Sequence, residues 1–162
     1  IEQYMERTYN KTASLFSTAG ESGAVLSGAP EDTVSALKEY SRDLGMAYQI
    51  VDDILDFSGA QEEVGKPVGS DLSQGKMTLP AMLAAQRDPD HNPIPDLFRS
   101  PDDAERLRRS VEMVQDPSVI DDAYSTARGL CDRAARSLRH LPPIPARDSL
   151  EVLVDYVLAR RM

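Results

Sequence analysis

The segment LGMAYQIVDDILDF, residues 44–57, is the most informative stretch of the chain for its fold. At about 100° per residue, an α-helix would place Gly45, Gln49, Asp52 and Asp56 in one column, with Asp53 beside it. The other positions of the segment are apolar, so roughly two-thirds of the helix circumference favours burial. The segment therefore predicts a helix packed into a protein core, with one narrow acidic sector.

The acidic sector lacks the positive charges that usually accompany carboxylates on a solvated helix face. The sequence has no Lys or Arg between Asp43 and Ala60, although Glu–Lys pairs four residues apart stabilise helices by about 0.2–0.5 kcal/mol. The helix dipole also disfavours carboxylates near a C-terminus, by about 0.3–1 kcal/mol each. A bound cation would offset both costs, and Mg²⁺, which takes one or two carboxylates together with phosphate oxygens, fits this sector. A solvated acidic face is the alternative.

Apolar residues recur at helical spacing on both sides of this segment. They predict helices over residues 2–19, 31–57, 79–86, 119–140 and 148–160, and one more that begins near Ser100 and Asp103 and ends at Gln115. Gly20 and Gly23 are expected to interrupt the chain after the first helix, and the proline-rich residues 87–101 to form a surface linker. Since the sequence shows no strand alternation, the predicted fold is an all-α bundle.

The composition restricts the class of protein. A chain of 162 residues corresponds to one domain or to a piece of one. Its 18 basic and 27 acidic residues give a net charge of −9, which argues against nucleic acid or an anionic membrane surface as partner. It has no apolar run of the ~20 residues that a membrane span requires. The single cysteine, Cys131, fits a reducing compartment.

The acidic helix is followed by a lysine loop, residues 65–76, which contains the pairs Gly65-Lys66 and Gly75-Lys76. It does not match a nucleotide-binding P-loop, because five residues separate Gly69 from Gly75 and Met77 occupies the Ser/Thr position. A flexible surface loop is one interpretation. Because an acidic helix lies next to it in sequence, a diphosphate held by lysines and bridged by metal to aspartates is the better one.

The acidic helix and the lysine loop resemble the second aspartate-rich region of the trans-polyprenyl diphosphate synthases. The match runs through GMAYQIVDDILD at residues 45–56, Gly65-Lys66, Asp71-Leu72 and GKMTLP at residues 75–80. KTASLF at residues 11–16 is similar to a Lys-Thr-Ala element of that family, and YVLARR at residues 156–161 to its final helix. The resemblance covers the whole chain. It implies that residues 1–162 form the C-terminal part of an isoprenoid-synthase helical bundle.

The resemblance also implies a site and an activity. The implied metal ligands, for Mg²⁺, are Asp52 and Asp56, with Asp53 in support. The implied contacts to an allylic diphosphate are Lys11, Lys66 and Lys76. The implied catalytic residues are Lys11, Thr12 and Gln49, of which Thr12 and Gln49 would lie near the allylic carbon. The reaction would be a 1′-4 condensation, in which the allylic diphosphate ionises, isopentenyl diphosphate attacks and a proton is lost, giving a longer polyprenyl diphosphate.

Two further elements of that family do not occur in this sequence: the first aspartate-rich motif and the basic site for the homoallylic substrate. The chain also opens at Ile1 rather than at Met. We therefore expect an excerpt that lacks the N-terminal half, is inactive alone, and exposes apolar surface along Val34, Leu44 and Val51. By resemblance we expect a homodimer, and we expect a cytoplasmic location.

Two alternatives have to be weighed. A class I terpene cyclase would need a Ser/Thr and then a Glu at four-residue steps after Asp52, where this sequence has Asp56 and Ala60. A non-catalytic subunit or interaction module that retains the fold is the other alternative. The acidic sector argues against it, because a purely structural chain has no need of unbalanced carboxylates.

Overall fold

The computed structural model describes residues 1–58 and 67–160, and within these ranges the regular structure is helical throughout. The elements are α1 (Glu2–Thr8), a π-helical turn (Tyr9–Ala13), α2 (Ser14–Leu26), α3 (Glu31–Ser58), α4 (Ser70–Ser73), α5 (Leu79–Arg87), α6 (Ile94–Arg99), α7 (Ala104–Val114), α8 (Pro117–Leu138) and α9 (Pro145–Ala159). This confirms the prediction of an all-α fold. No helix in the described ranges combines the length and apolar character needed to cross a bilayer.

Packing divides the chain into two compact units. The central unit consists mainly of Asp52–Ser125, and the terminal unit combines Glu2–Val51 with Thr126–Arg161. The boundaries between them fall inside α3 and α8, so each of these helices contributes residues to both units. The acidic sector of α3 therefore belongs to the central unit, whereas Gln49 belongs to the terminal unit.

In the terminal unit, small residues let α2 and the π-helical turn lie close against α3. A Cβ atom added at Gly45 would lie 2.9 Å from the Cα atom of Ala13, which is fully buried. One added at Gly20 would lie 2.7 Å from the carbonyl oxygen of Leu37. Both positions therefore require glycine, because no side chain fits between backbones this close.

Polar contacts join α3 to the C-terminal helices of the same unit. Asp43 is buried and accepts hydrogen bonds from the Nε atoms of Arg133, at 2.9 Å, and Arg42, at 3.1 Å. The Tyr40 hydroxyl donates to the carbonyl oxygen of Leu150 at 2.8 Å, and burial raises the pKa of Tyr40 to about 12. These contacts hold α8 and α9 against α3.

The central unit has its own apolar core. Its buried members come from α3 to α8 and are Phe57, Leu72, Ala81, Ala84, Ile94, Leu97, Val114 and Val119. Each of them is at most 2% exposed. Leu72 matters most for the site because it comes from α4, a single helical turn inside the lysine loop, and anchors that turn in the core.

Two sequence-based predictions about local structure are wrong. The first helical region does not end at residue 19, because α2 continues through Gly20 and Gly23 to Leu26. Residues 87–101 are not a plain linker, because they contain α6, whose Ile94 and Leu97 are buried in the central core. In both places the tertiary contacts of a few residues outweigh local composition.

The ends of the later helices also differ in detail from the prediction. Asp103, rather than Ser100, is the N-cap residue that precedes α7, because its carboxylate accepts a hydrogen bond from the backbone N–H of Arg106 at 3.0 Å. Pro117 and Pro145 lie in the first turns of α8 and α9, where proline is tolerated because its missing N–H would have no helical partner.

The expected exposure of α3 is wrong as well. Leu44 is 6% exposed and Val51 is fully buried, whereas Val34 is half-buried. These residues are covered by the chain itself. The most exposed large apolar side chains belong instead to other helices and include Leu26 of α2, at 87%, and Val152 of α9, at 64%.

Candidate functional site

The acidic sector lies at the C-terminal end of α3. Asp52 and Asp56 are partly exposed, whereas Asp53 is buried, with 6% of its surface exposed. This difference follows from helix geometry, because Asp52 and Asp56 share one column and Asp53 lies about 100° around the helix from Asp52. The predicted column is therefore present on a face that a ligand can reach.

In the part of the chain that the structure describes, the acidic side chains do not form a complete metal cage by themselves. Within residues 1–58 and 67–160, no group of three or more His, Cys, Asp or Glu side chains is arranged to hold an ion. Mg²⁺ commonly takes one or two carboxylates, while phosphate and water oxygens complete its octahedral shell. Asp52 and Asp56 fit that pattern, and the supporting role of Asp53 stays a prediction.

Asp56 also anchors the second half of the lysine loop. Its carbonyl oxygen accepts the N–H of Gly69 at 2.9 Å, and its carboxylate oxygen Oδ2 accepts the N–H of Asp71 at 3.0 Å. Gly69 has a φ of 74° and packs so closely on Val111 that a side chain has no room there. Residues 69–76 are therefore an anchored turn rather than an open surface loop.

Lys76 is held within this turn at two points. Its N–H donates to the carbonyl oxygen of Asp71 at 2.8 Å, and its ammonium nitrogen lies 3.0 Å from the Asp71 carboxylate oxygen Oδ1. The Lys76 side chain is 53% exposed, so its charge remains accessible. Lys66, the other predicted lysine of the loop, lies outside the described residues.

Lys11 and Thr12 lie in the π-helical turn of the terminal unit. A π-helical turn inside an α-helix is rare and is often found at functional sites. The Thr12 hydroxyl donates to the amide oxygen Oε1 of Gln49 at 2.8 Å, which brings these two predicted residues into direct contact. Lys11 is exposed. Apolar periodicity cannot reveal such a turn, because its apolar spacing differs little from that of an α-helix.

Tyr48 is a candidate site residue to which the sequence analysis assigns no role. The guanidinium carbon of Arg160, at the end of α9, lies 4.2 Å from the centroid of the Tyr48 ring. The Phe16 ring lies on α2, 5.9 Å away between centroids. A cation–π contact at an exposed site contributes about 0.5–1 kcal/mol. This contact places the end of α9 against α3, one turn before Asp52 in sequence.

The predicted site residues thus form two groups, one in each unit. In the central unit, Asp56 is connected through Asp71 to Lys76. In the terminal unit, Thr12 is connected to Gln49. Asp71, like Tyr48, is a candidate to which the sequence analysis assigns no role, although its place in the matched motif, five residues before Lys76, was an available signal.

Comparison with known proteins identifies the family. A family profile described as polyprenyl synthetase matches residues 1–117. A prenyl transferase of Synechocystis sp. is 40% identical over 160 residues, which is 99% of this chain and 49% of that protein. The crystal structure of heptaprenyl diphosphate synthase from Staphylococcus aureus matches with a TM-score of 0.95 and 31% identity, over 100% of this chain and 51% of that one.

A second solved structure carries ligands. The polyprenyl synthase from Caulobacter crescentus, crystallised with calcium and isoprenyl diphosphate, matches with a TM-score of 0.87 and 34% identity, over 98% of this chain and 49% of that one. The chain spans about half the length of the relatives it matches. The profile match includes both the acidic helix and the lysine loop. The resemblance inferred from these motifs is therefore confirmed, and the chain belongs to the polyprenyl synthetase family.

Proposed function

We propose that residues 1–162 form the C-terminal portion of a trans-prenyltransferase and supply its site for an allylic diphosphate. The proposed reaction is the Mg²⁺-dependent 1′-4 condensation of that substrate with isopentenyl diphosphate, which gives a longer polyprenyl diphosphate. One observation carries this proposal: Asp56 anchors the turn that bears Lys76, so that an acidic helix end and a cationic loop meet within one unit.

Two kinds of positive charge would bind the diphosphate: a Mg²⁺ ion held by carboxylates, and the ammonium groups of lysines. Asp52 and Asp56 would hold Mg²⁺, which supplies positive charge to the oxygens of the departing diphosphate. Lys76 would bind the same oxygens directly, and the family resemblance adds Lys66 and Lys11. Stabilisation of a leaving group's charge by preorganised partners often lowers a reaction barrier more than any other single effect, which is why this group of residues matters most.

Thr12 and Gln49 have a different proposed role. The hydrogen bond from the Thr12 hydroxyl fixes the Gln49 amide oxygen in one orientation. Amide and carbonyl dipoles held in this way can stabilise the positive charge that develops on the allylic carbon when the diphosphate leaves. Gln49 precedes Asp52 by three residues on α3, so the two residues lie on the same side of that helix.

The family supports the choice of partners. The Caulobacter crescentus relative was crystallised with a divalent cation and an isoprenyl diphosphate, and both correspond to the proposed ligands. We propose Mg²⁺ as the ion and a homodimer as the assembly.

We also propose a cytoplasmic location, consistent with a single buried cysteine, although a rice relative is named as chloroplastic.

Calorimetry with the 162-residue chain tests this proposal. In the presence of Mg²⁺, geranyl diphosphate is expected to bind, and Asp52→Asn should weaken that binding by about tenfold or more. Asp96→Asn is the matched control, because it makes the same change at an exposed acid of the central unit. No Mg²⁺-dependent binding, or equal binding by Asp52→Asn, would favour a non-catalytic module.

The isolated chain is not expected to make product. The reaction needs two diphosphates held face to face, and correct positioning of reactants contributes about 7–11 kcal/mol. A half-site should therefore lose almost all of the rate. An assay with radiolabelled isopentenyl diphosphate should find no prenyl product. Substantial product would show that the 162-residue chain holds the sites for both diphosphates.

A further inference from the structure

Asp71 stands between the acidic helix end and Lys76. Its backbone N–H donates to the Asp56 carboxylate at 3.0 Å, and its own carboxylate lies 3.0 Å from the Lys76 ammonium. The next residue, Leu72, is 1% exposed and belongs to the central core. Asp71 is therefore a fixed support, whereas the Lys76 side chain is long and 53% exposed.

The main chain of Lys76 is fixed, but its hydrogen bond does not restrict the position of the side-chain ammonium. The bond from the Lys76 N–H to the Asp71 carbonyl oxygen fixes the main chain but leaves four rotatable bonds between Cα and the ammonium. Ordering a lysine side chain is entropically costly. A neighbouring carboxylate reduces this cost before any anion arrives. An ammonium has three N–H donors, so one of them can stay on Asp71 while others bind phosphate oxygens.

We propose that Asp71 is a positioning residue of the diphosphate site and acts by holding the Lys76 ammonium where an anion meets it. The inference rests on the proposed function, because it requires that Lys76 binds a diphosphate. Simple electrostatics predicts the opposite role for Asp71. Asp71 is itself an anion, so Coulomb's law alone predicts that removing its charge strengthens the binding of a diphosphate. Positioning predicts the opposite sign.

Titration of the 162-residue chain with inorganic diphosphate and Mg²⁺ distinguishes the two signs. Asp71→Asn keeps the size of the side chain and leaves the backbone N–H in place, so the turn should still fold. We expect this variant to bind about three- to tenfold more weakly than the unmodified chain. Asp96→Asn removes the same charge elsewhere in the central unit and should bind as the unmodified chain does.

A second background tests whether Asp71 acts through Lys76. In a chain that carries Lys76→Gln, adding Asp71→Asn should produce no further loss of affinity. Two outcomes overturn the inference: Asp71→Asn binds as well as or better than the unmodified chain, or its loss of affinity persists unchanged in the Lys76→Gln background, so that the two substitutions act independently. Failure of the unmodified chain to bind Mg²⁺ and diphosphate would contradict the proposed function itself, and the inference with it.

Discussion

The turn at residues 69–76 and the π-helical turn at residues 9–13 each carry a lysine predicted to bind diphosphate, and each contacts α3 through a side chain of that helix. The first is held by Asp56, whose carboxylate and carbonyl oxygens accept two backbone N–H groups. The second is held by packing against Gly45 and by the neutral hydrogen bond between Thr12 and Gln49.

The difference lies in how much each turn depends on one charged residue. A hydrogen bond to an ionised acceptor contributes about 1.5–3 kcal/mol, compared with about 0.5–1.5 kcal/mol for a neutral bond. The structure of the lysine loop should therefore be strongly destabilised when the Asp56 carboxylate is removed. The π-helical turn should respond weakly to Thr12, because close backbone packing supports it independently.

The largest expected structural effect follows the loss of the Asp56 carboxylate. Asp56→Ala removes the acceptor of the Asp71 N–H, so hydrogen exchange at that amide should become roughly ten- to hundredfold faster. Asp56→Asn keeps an acceptor oxygen at the same position and should show a smaller increase. NMR-detected exchange measures both.

Amides of the π-helical turn provide the internal reference for this experiment. They lie in the terminal unit, and their exchange rates should not change in either Asp56 variant. An unchanged rate at the Asp71 amide in Asp56→Ala would show that the turn is held by its core residue Leu72 rather than by the carboxylate.

A smaller effect is expected at Thr12. Thr12→Val removes the hydroxyl that donates to Gln49 and should lower the free energy of unfolding by about 0.5–1.5 kcal/mol, whereas Thr12→Ser keeps the donor and should cost less. Urea unfolding measures both values. If Thr12→Val unfolds at the same urea concentration as the unmodified chain, the hydrogen bond does not stabilise the turn.

The helical fold and the acidic face could be predicted from sequence because both depend on local periodicity. The column of Asp52 and Asp56 on α3 follows from the helical repeat alone, whereas the burial of Asp53 depends on the residues packed against the helix and was not predicted. The same reasoning failed for α6, because a short helix among prolines is stabilised by the burial of Ile94 and Leu97, and composition does not reveal that burial.

The sequence motifs identify the residues of the candidate site, but they do not predict the hydrogen bonds between those residues. The motifs single out Asp56 and Lys76, whereas the bridge through Asp71 depends on a backbone N–H whose direction only the folded turn determines. The π-helical turn is hidden for a similar reason, since it depends on how the backbone adapts to its packing on α3.

The central claim is that the lysine loop binds the diphosphate of an allylic substrate. Chemical labelling of lysines, quantified separately at each residue, tests this claim most directly. With Mg²⁺ and geranyl diphosphate present, the labelling of Lys66 and Lys76 should fall about fivefold or more. Lys38, which is paired with Glu21 at 2.9 Å, serves as the internal reference and should be labelled equally with and without ligand. Equal labelling of Lys66 and Lys76 in both conditions would contradict the claim.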